Sequence, residues 1–180
     1  MADLPVLGMP DTSVAIIEVT DYRCPFCQEH FRETLPQLRR ELIETGQVSY
    51  FVQAYPLSAQ DGSGLAAAAA SCAAAQGRFW EFHQRLLGGY AATDRSGLLE
   101  LGRSLELDTV QFGSCLGQRG SGTWIQDLRN QAVGLGVRGT PTFFIGRLSD
   151  RKVVTEVTVL AGRQSIDSFR QIVAGYLGRH

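Results

Sequence analysis

The stretch VAIIEVTDYRCPFCQEHF, residues 14–31, decides how this chain is read. Val14 to Thr20 are apolar or β-branched apart from Glu18, which predicts a buried strand. Beyond it, Phe31, Leu35, Leu38, Leu42 and Ile43 recur at helical spacing and predict a helix over about residues 25–45. Cys24 and Cys27 therefore fall where a strand gives way to a helix. The free backbone N–H groups and the dipole at a helix start favour an anion, and a thiolate is one. Cys24 is expected to be an acidic, nucleophilic thiol. Cys27, one helical turn further on, is placed to close a disulfide with it.

Two other readings of the pair stay open on the residues alone. Cys24, Cys27 and His30 could be part of a zinc site, but zinc wants a further ligand pair, and neither Cys72 nor Cys115 belongs to another Cys-x-x-Cys. The pair could also be a purely structural disulfide, although one that spans two residues closes almost no loop and stabilises little. The strand–motif–helix context favours redox chemistry.

Working outward, the chain of 180 residues has room for one domain and its core. Hydrophobic residues make up 44% and charged residues 19%, as in ordinary globular proteins. A net charge of −1, with 16 scattered arginines and one lysine, gives no field to attract nucleic acid or an anionic membrane. No run is long enough to span a membrane. Met1-Ala-Asp-Leu-Pro5 lacks the basic start and apolar core of a signal peptide. The expectation is either a cytoplasmic protein or an exported one whose leader has been removed.

Residues 1–13 read as a loop-like lead-in with Pro5, Gly8 and Pro10. Pro36 should kink or interrupt the first helix, and Gly46 should stop it. Val48 to Tyr55 reads as a second strand, parallel to the first, in a βαβ unit. From about residue 62 to 135 no strand is predicted. Leu65 to Ala75 is alanine-rich and helical and includes Cys72. Further helices are expected over Phe79 to Leu87, over residues 94–105, after Asp108 and over residues 123–135. Asp108 with Gln111 has the spacing of a capping box and opens the helix that carries Cys115. Thr142 to Gly146 should be a strand, followed by a turn at Ser149-Asp150 and an antiparallel strand over Val153 to Leu160. Ile166 to Leu177 closes the chain as a helix with Ser165 as N-cap. Cys72 and Cys115, each on an amphipathic helix, are expected to form a structural disulfide, with two buried free thiols as the alternative.

Three segments carry a resemblance: DYRCPFC at 21–27, QGRFWEFH at 76–83 and GVRGTPTFF at 136–144. With them the chain resembles the thioredoxin superfamily and, within it, the DsbA family of thiol:disulfide oxidoreductases. The resemblance implies an α/β thioredoxin fold, βαβ then ββα, with an all-helical insertion between the second strand and the Pro141 loop. It divides the chain into a thioredoxin-like domain, residues 1–61 and 136–180, and an inserted helical subdomain, residues 62–135. It also implies a cis Pro141 facing the cysteines; on composition alone the bond would be expected trans, since a proline leading into a strand is ordinary.

The resemblance gives each residue a role. Cys24 attacks or is attacked, and Cys27 resolves the mixed disulfide. Glu18 is a buried acid that carries a proton for Cys27, although alternation along the strand also allows it to face outward. Pro25, Phe26, Thr140 and Pro141 are expected to meet substrate, the Thr140 backbone by strand addition. Tyr22 and Phe144 either join an apolar contact surface or belong to the core. His30 is expected at the surface, and His83 packed and hydrogen-bonded among aromatics. Phe26 stands where the best-known family member has a histidine, so it cannot donate to the Cys24 thiolate. The expected activity is disulfide introduction into exported proteins, with unfolded or extended cysteine-containing chains as substrates. A membrane-bound partner of the DsbB type is implied, and the protein is expected to be a monomer with no metal and no cofactor beyond the Cys24–Cys27 disulfide. A thiol reductase and a non-catalytic chaperone or binding module are the alternatives. Small-molecule relatives of the fold, the isomerases and glutathione transferases, lack the paired cysteines.

Overall fold

The structure, a computed structural model, describes residues 4–58, 62–89, 91–149 and 153–178. Its framework is a five-stranded sheet in the order β1-β3-β2-β4-β5. The strands are β1 (Val6–Leu7), β2 (Val14–Thr20), β3 (Val48–Ala54), β4 (Thr142–Leu148) and β5 (Val154–Ala161). β2 and β3 run parallel, which places Glu18 beside Val52, while β4 and β5 are antiparallel to their neighbours. The βαβ and ββα halves expected from the resemblance are both present. Two details differ. The lead-in is not all loop, because Val6 and Leu7 pair with Phe51 and Tyr50 at the sheet edge. β4 also runs two residues past Gly146, because Leu148 still has Val154 on β5 as its partner. Asp150, the second residue of the expected turn, lies outside the described residues.

The helix after the cysteines does not simply kink at Pro36. It is α-helical over Pro25–Glu29 (α1) and Leu35–Leu38 (α2), with a wider π turn over His30–Thr34 between them and another over Arg39–Ile43. Proline has no N–H to give and its ring crowds the carbonyl one turn back. The wide turn moves the ladder out of its way: the Leu35 N–H reaches back five residues to the His30 carbonyl. Gly46, at φ +73°, then ends the helix in a conformation that a side chain would resist. Buried residues along this helix, Cys27, His30, Leu35, Leu38 and Leu42, press one face into the core.

Among the described residues five helices lie between β3 and β4: α3 (Ser63–Ala74), α4 (Phe79–Leu87), α5 (Arg95–Ser104), α6 (Thr109–Arg119) and α7 (Gly122–Gly134). In α3, Ala66 to Ala70 are all buried, and the small side chains let neighbouring helices approach closely. The contact with α6 is covalent, since Cys72 and Cys115 form a disulfide with Cα atoms 5.9 Å apart. Phe82 on α4 and Phe112 on α6 stack nearby with ring centroids 5.6 Å apart. Asp108 caps α6 by accepting from the N–H groups of Val110 and Gln111. The reciprocal arm of the capping box is missing, because the Asp108 N–H goes to Gln76 Oε1 while the Gln111 amide donates to the Asp108 carboxylate. The closing helix α8 (Ile166–Leu177) is capped by Ser165 and packs Phe169 edge-on against Phe143 of β4.

Candidate active site

The end of β2 and the start of α1 form one tight junction. Asp21 is buried there, and its carboxylate accepts from the Arg23 N–H, the Leu57 N–H (2.6 Å each) and the Ser63 hydroxyl. One side chain thus ties the cysteine loop to the segment after β3 and to the start of α3. Sequence reasoning gave Asp21 no role. Its signal was an aspartate directly after a strand and before a turn, where it can bond to backbone N–H groups two residues on.

Cys24 is the N-cap of α1, in extended conformation, and is 7% exposed; Cys27 is fully buried. The Thr140–Pro141 peptide is cis, and the Cys24 thiol donates to the Thr140 carbonyl at 3.3 Å. The two chain segments singled out from the sequence therefore meet at this sulfur. A hydrogen bond from Cys27 holds the Cys24 thiol well below the usual thiol range; Thr140 and the N–H groups of Cys27 and Phe26 add to it, against the cost of burial. Burial pushes the Cys27 thiol far up, and its bond to Cys24 and the charge of Glu18 push it further. The Asp21 N–H donates to Cys27 Sγ at 3.4 Å. One thiol is set to be an anion and the other a proton-bearing group.

Glu18 faces inward and is 1% exposed. Burial raises its pKa from 4.5 to about 7, against the lowering effect of the Tyr50 hydrogen bond and of the nearby Thr20 hydroxyl. The Tyr50 hydroxyl donates to Glu18 Oε2 at 2.6 Å, and His30 Nε2 lies 3.1 Å from the same hydroxyl. His30 is not at the surface as expected: it is fully buried, with its ring 4.7 Å from that of Phe143. It occupies the buried stripe three residues after Cys27 and four before Thr34, which places it under the helix. Burial lowers its pKa to about 3, so it is neutral. His83 is packed among Phe79, Trp80 and Phe31, with Nδ1 3.2 Å from the Tyr22 hydroxyl. That bond puts Tyr22 in the core, not on a contact surface.

Pro25 and Phe26 are exposed, Phe26 at 57%, directly beside the buried cysteines. Phe144 is half-buried against Val19, Tyr55, Ala132 and Val137. It also lines a half-open apolar groove of about 690 Å³ between the sheet, Trp124 and Leu128 of α7, and Leu135 just beyond that helix. Among the described residues no three His, Cys, Asp or Glu side chains are grouped to hold a metal, and no helix is long and apolar enough to cross a membrane.

A family model described as thioredoxin matches residues 2–168. The chain belongs to that family. Among curated relatives, it is 34% identical over 142 residues to the Na(+)/H(+) antiporter NhaA 3 of Salinispora tropica, an alignment covering 78% of this chain and 21% of the antiporter. The chain therefore spans about one fifth of the length of the antiporters it matches, NhaA 1 of Salinispora arenicola included. It is also 34% identical over 85 residues to disulfide bond formation protein D of Bacillus subtilis, covering 46% of this chain and 37% of that one. Among solved structures, α-DsbA1 of Wolbachia pipientis superposes with a TM-score of 0.81 at 20% identity, covering 99% of this chain and 93% of the other. That likeness establishes the thioredoxin-like fold with its helical insertion.

Proposed function

We propose that this chain is a thiol:disulfide oxidoreductase that introduces disulfides into exported proteins. The observation that carries the reading is the arrangement at the start of α1: Cys24 caps the helix with its thiol on the Thr140 carbonyl before cis Pro141, Cys27 is buried one turn on, and Glu18 is buried within electrostatic reach of Cys27. In the oxidised protein a substrate thiolate attacks Cys24 Sγ. The Cys24–Cys27 bond breaks, a mixed disulfide forms, and Cys27 leaves as a thiolate that takes its proton from Glu18. A second substrate thiolate then attacks the substrate sulfur of the mixed disulfide. A substrate disulfide forms, and Cys24 departs as the stabilised thiolate. Two electrons pass to the protein, and a membrane-bound partner of the DsbB type would remove them.

Pro25 and Phe26 offer the substrate an exposed apolar contact, and the Thr140–Pro141 segment beside Cys24 would meet an extended chain through its backbone. Unfolded or extended cysteine-containing chains suit a contact made through backbone and one exposed aromatic side chain. Residues 1–61 and 136–180 act as the redox unit, with 62–135 as its helical insertion. The reading places the protein in an oxidising, extracytoplasmic compartment, acting as a monomer. The Cys72–Cys115 disulfide supports that placement, because such bonds persist where thiols are not kept reduced. The name of the Bacillus subtilis relative supports the same activity.

Equilibration with glutathione at pH 7 tests the direction. A stabilised Cys24 thiolate favours the reduced form, while the Phe26 side chain supplies no hydrogen bond, so the expected potential is roughly −200 to −140 mV. A value below about −240 mV overturns the oxidase in favour of a reductase, and the absence of any redox couple leaves a binding module.

A further inference from the structure

We propose that Tyr50 and His30 are positioning residues that direct a one-way hydrogen-bond chain onto one oxygen of Glu18 and thereby set the pH at which Cys27 exchanges its proton. The inference rests on the reading of Glu18 as proton carrier and extends it to two residues which that reading leaves out. A phenol has one hydrogen. Tyr50 gives it to Glu18 Oε2, so toward His30 it can only accept. His30 must then carry its hydrogen on Nε2, and Nδ1 is the bare nitrogen. The surroundings agree: Nδ1 is buried with no hydrogen-bond partner, and the ring lies against those of Phe143 and Phe169.

The chain runs His30 Nε2–H to Tyr50 O–H to Glu18 Oε2. Its direction has two consequences. The donated hydrogen bond favours the carboxylate and opposes the desolvation that pushes Glu18 up. Glu18 Oε1, in contrast, is buried without a partner. The proton exchanged with Cys27 is therefore carried on Oε1, while Oε2 stays tethered. His30 is not the far end of a relay, because burial keeps it neutral and Nδ1 has no route onward.

Few other titratable groups surround Glu18. Cys27 approaches from the first helix, and Tyr22 and Asp21 lie in the loop beyond β2, with His83 of α4 behind Tyr22. The neighbours facing His30 from β4 and α8, Phe143 and Phe169, carry no charge. Tyr50 is therefore the one described group that donates from a neighbouring strand to the Glu18 carboxylate.

The test follows the Glu18 carboxyl by infrared titration, together with the pH profile of the exchange between the reduced protein and glutathione disulfide. The wild type should show a carboxyl midpoint near 7, mirrored in the rate profile, and Glu18→Gln should remove both. Tyr50→Phe keeps the ring and loses the donor, so the midpoint should rise by roughly one to two pH units. His30→Leu should raise it by a smaller amount, and His30→Gln, which restores an N–H donor, should return it toward the wild-type value. If Glu18→Gln leaves the profile intact, the proton-carrier reading itself has failed. If Glu18→Gln removes the midpoint but Tyr50→Phe does not move it, the positioning proposal alone is overturned. Should Tyr50→Phe not fold, identical midpoints in His30→Leu and His30→Gln overturn it equally.

Discussion

The molecule holds two pairs of cysteines in surroundings of opposite kind. Cys72 and Cys115 join α3 to α6 across a sequence separation of 43, in a wall of alanines and phenylalanines. Cys24 and Cys27 are three residues apart at a strand–helix junction, with the Thr140 carbonyl above them and the Glu18 carboxyl below. The first pair constrains much chain and joins two packed helices. The second constrains almost no chain and is ringed by groups that stabilise one sulfur as an anion and the other as a thiol. Whether a disulfide acts as a staple or as a reagent is thus decided by what surrounds the sulfur and by how much chain the bond encloses.

The sharpest way to break this contrast is to remove one sulfur. Cys24→Ser should abolish dithiol oxidation altogether, whereas Cys27→Ser should accumulate a mixed disulfide with substrate, visible as an adduct by non-reducing electrophoresis. An adduct in the first variant and none in the second would reverse the two roles. Next in size is the staple. Peptides from an unreduced digest should show Cys72 linked to Cys115. The double variant Cys72→Ala, Cys115→Ala should lose about 4 kcal/mol in denaturant unfolding, from loop closure. The potential of the Cys24–Cys27 pair should not change, and a shift in it would mean that the two pairs communicate.

Glu18 gives a third test, with a sign that can be worked out. Its folded pKa, about 7, is above 4.5, so between those values the folded protein holds a proton that the unfolded chain has released. Stability contributed by Glu18 is therefore present below pH 4.5 and lost as pH rises to about 7, by about 3 kcal/mol in all. His30 and His83 act in the opposite sense, since burial keeps them neutral down to about pH 3 and their contribution is lost as pH falls from 6.5. The difference between Glu18→Gln and wild type cancels the histidines. The variant should gain stability relative to wild type as pH goes from 4.5 to 8, and a flat difference would mean that Glu18 is not held protonated. The smallest effect is expected at Phe26. Phe26→His would add one hydrogen bond to the Cys24 thiolate and raise the potential by about 30 mV.

The four long strands and the five inserted helices were legible from local periodicity, and the meeting of Cys24 with the Thr140–Pro141 segment from the family resemblance, whereas the two-residue β1 was too short to show a pattern. His30 was misplaced because a histidine is usually polar surface. It belongs to the buried stripe of its helix, and Cys27 and Thr34 on either side were the available signal. Tyr50 and Asp21 were harder to read. A tyrosine in a strand looks like any aromatic filler, and its partner Glu18 is 32 residues away in sequence. Asp21 gathers donors from three separate segments, a convergence that only the folded chain brings about.

The wide turn at His30–Thr34 bears on how the length of this segment can change. In a regular helix each residue advances the face by about 100°, so losing one residue would swing everything downstream away from the core. Here the surplus residue is already stored in the turn. Residues up to its start aim Cys27 toward Glu18 and His30 at Tyr50, and residues after it aim Leu35 and Leu38 into the core. A single-residue deletion within the turn would draw on that reserve and leave both aims intact, whereas the same deletion in the α-helical stretch Pro25–Glu29 would not.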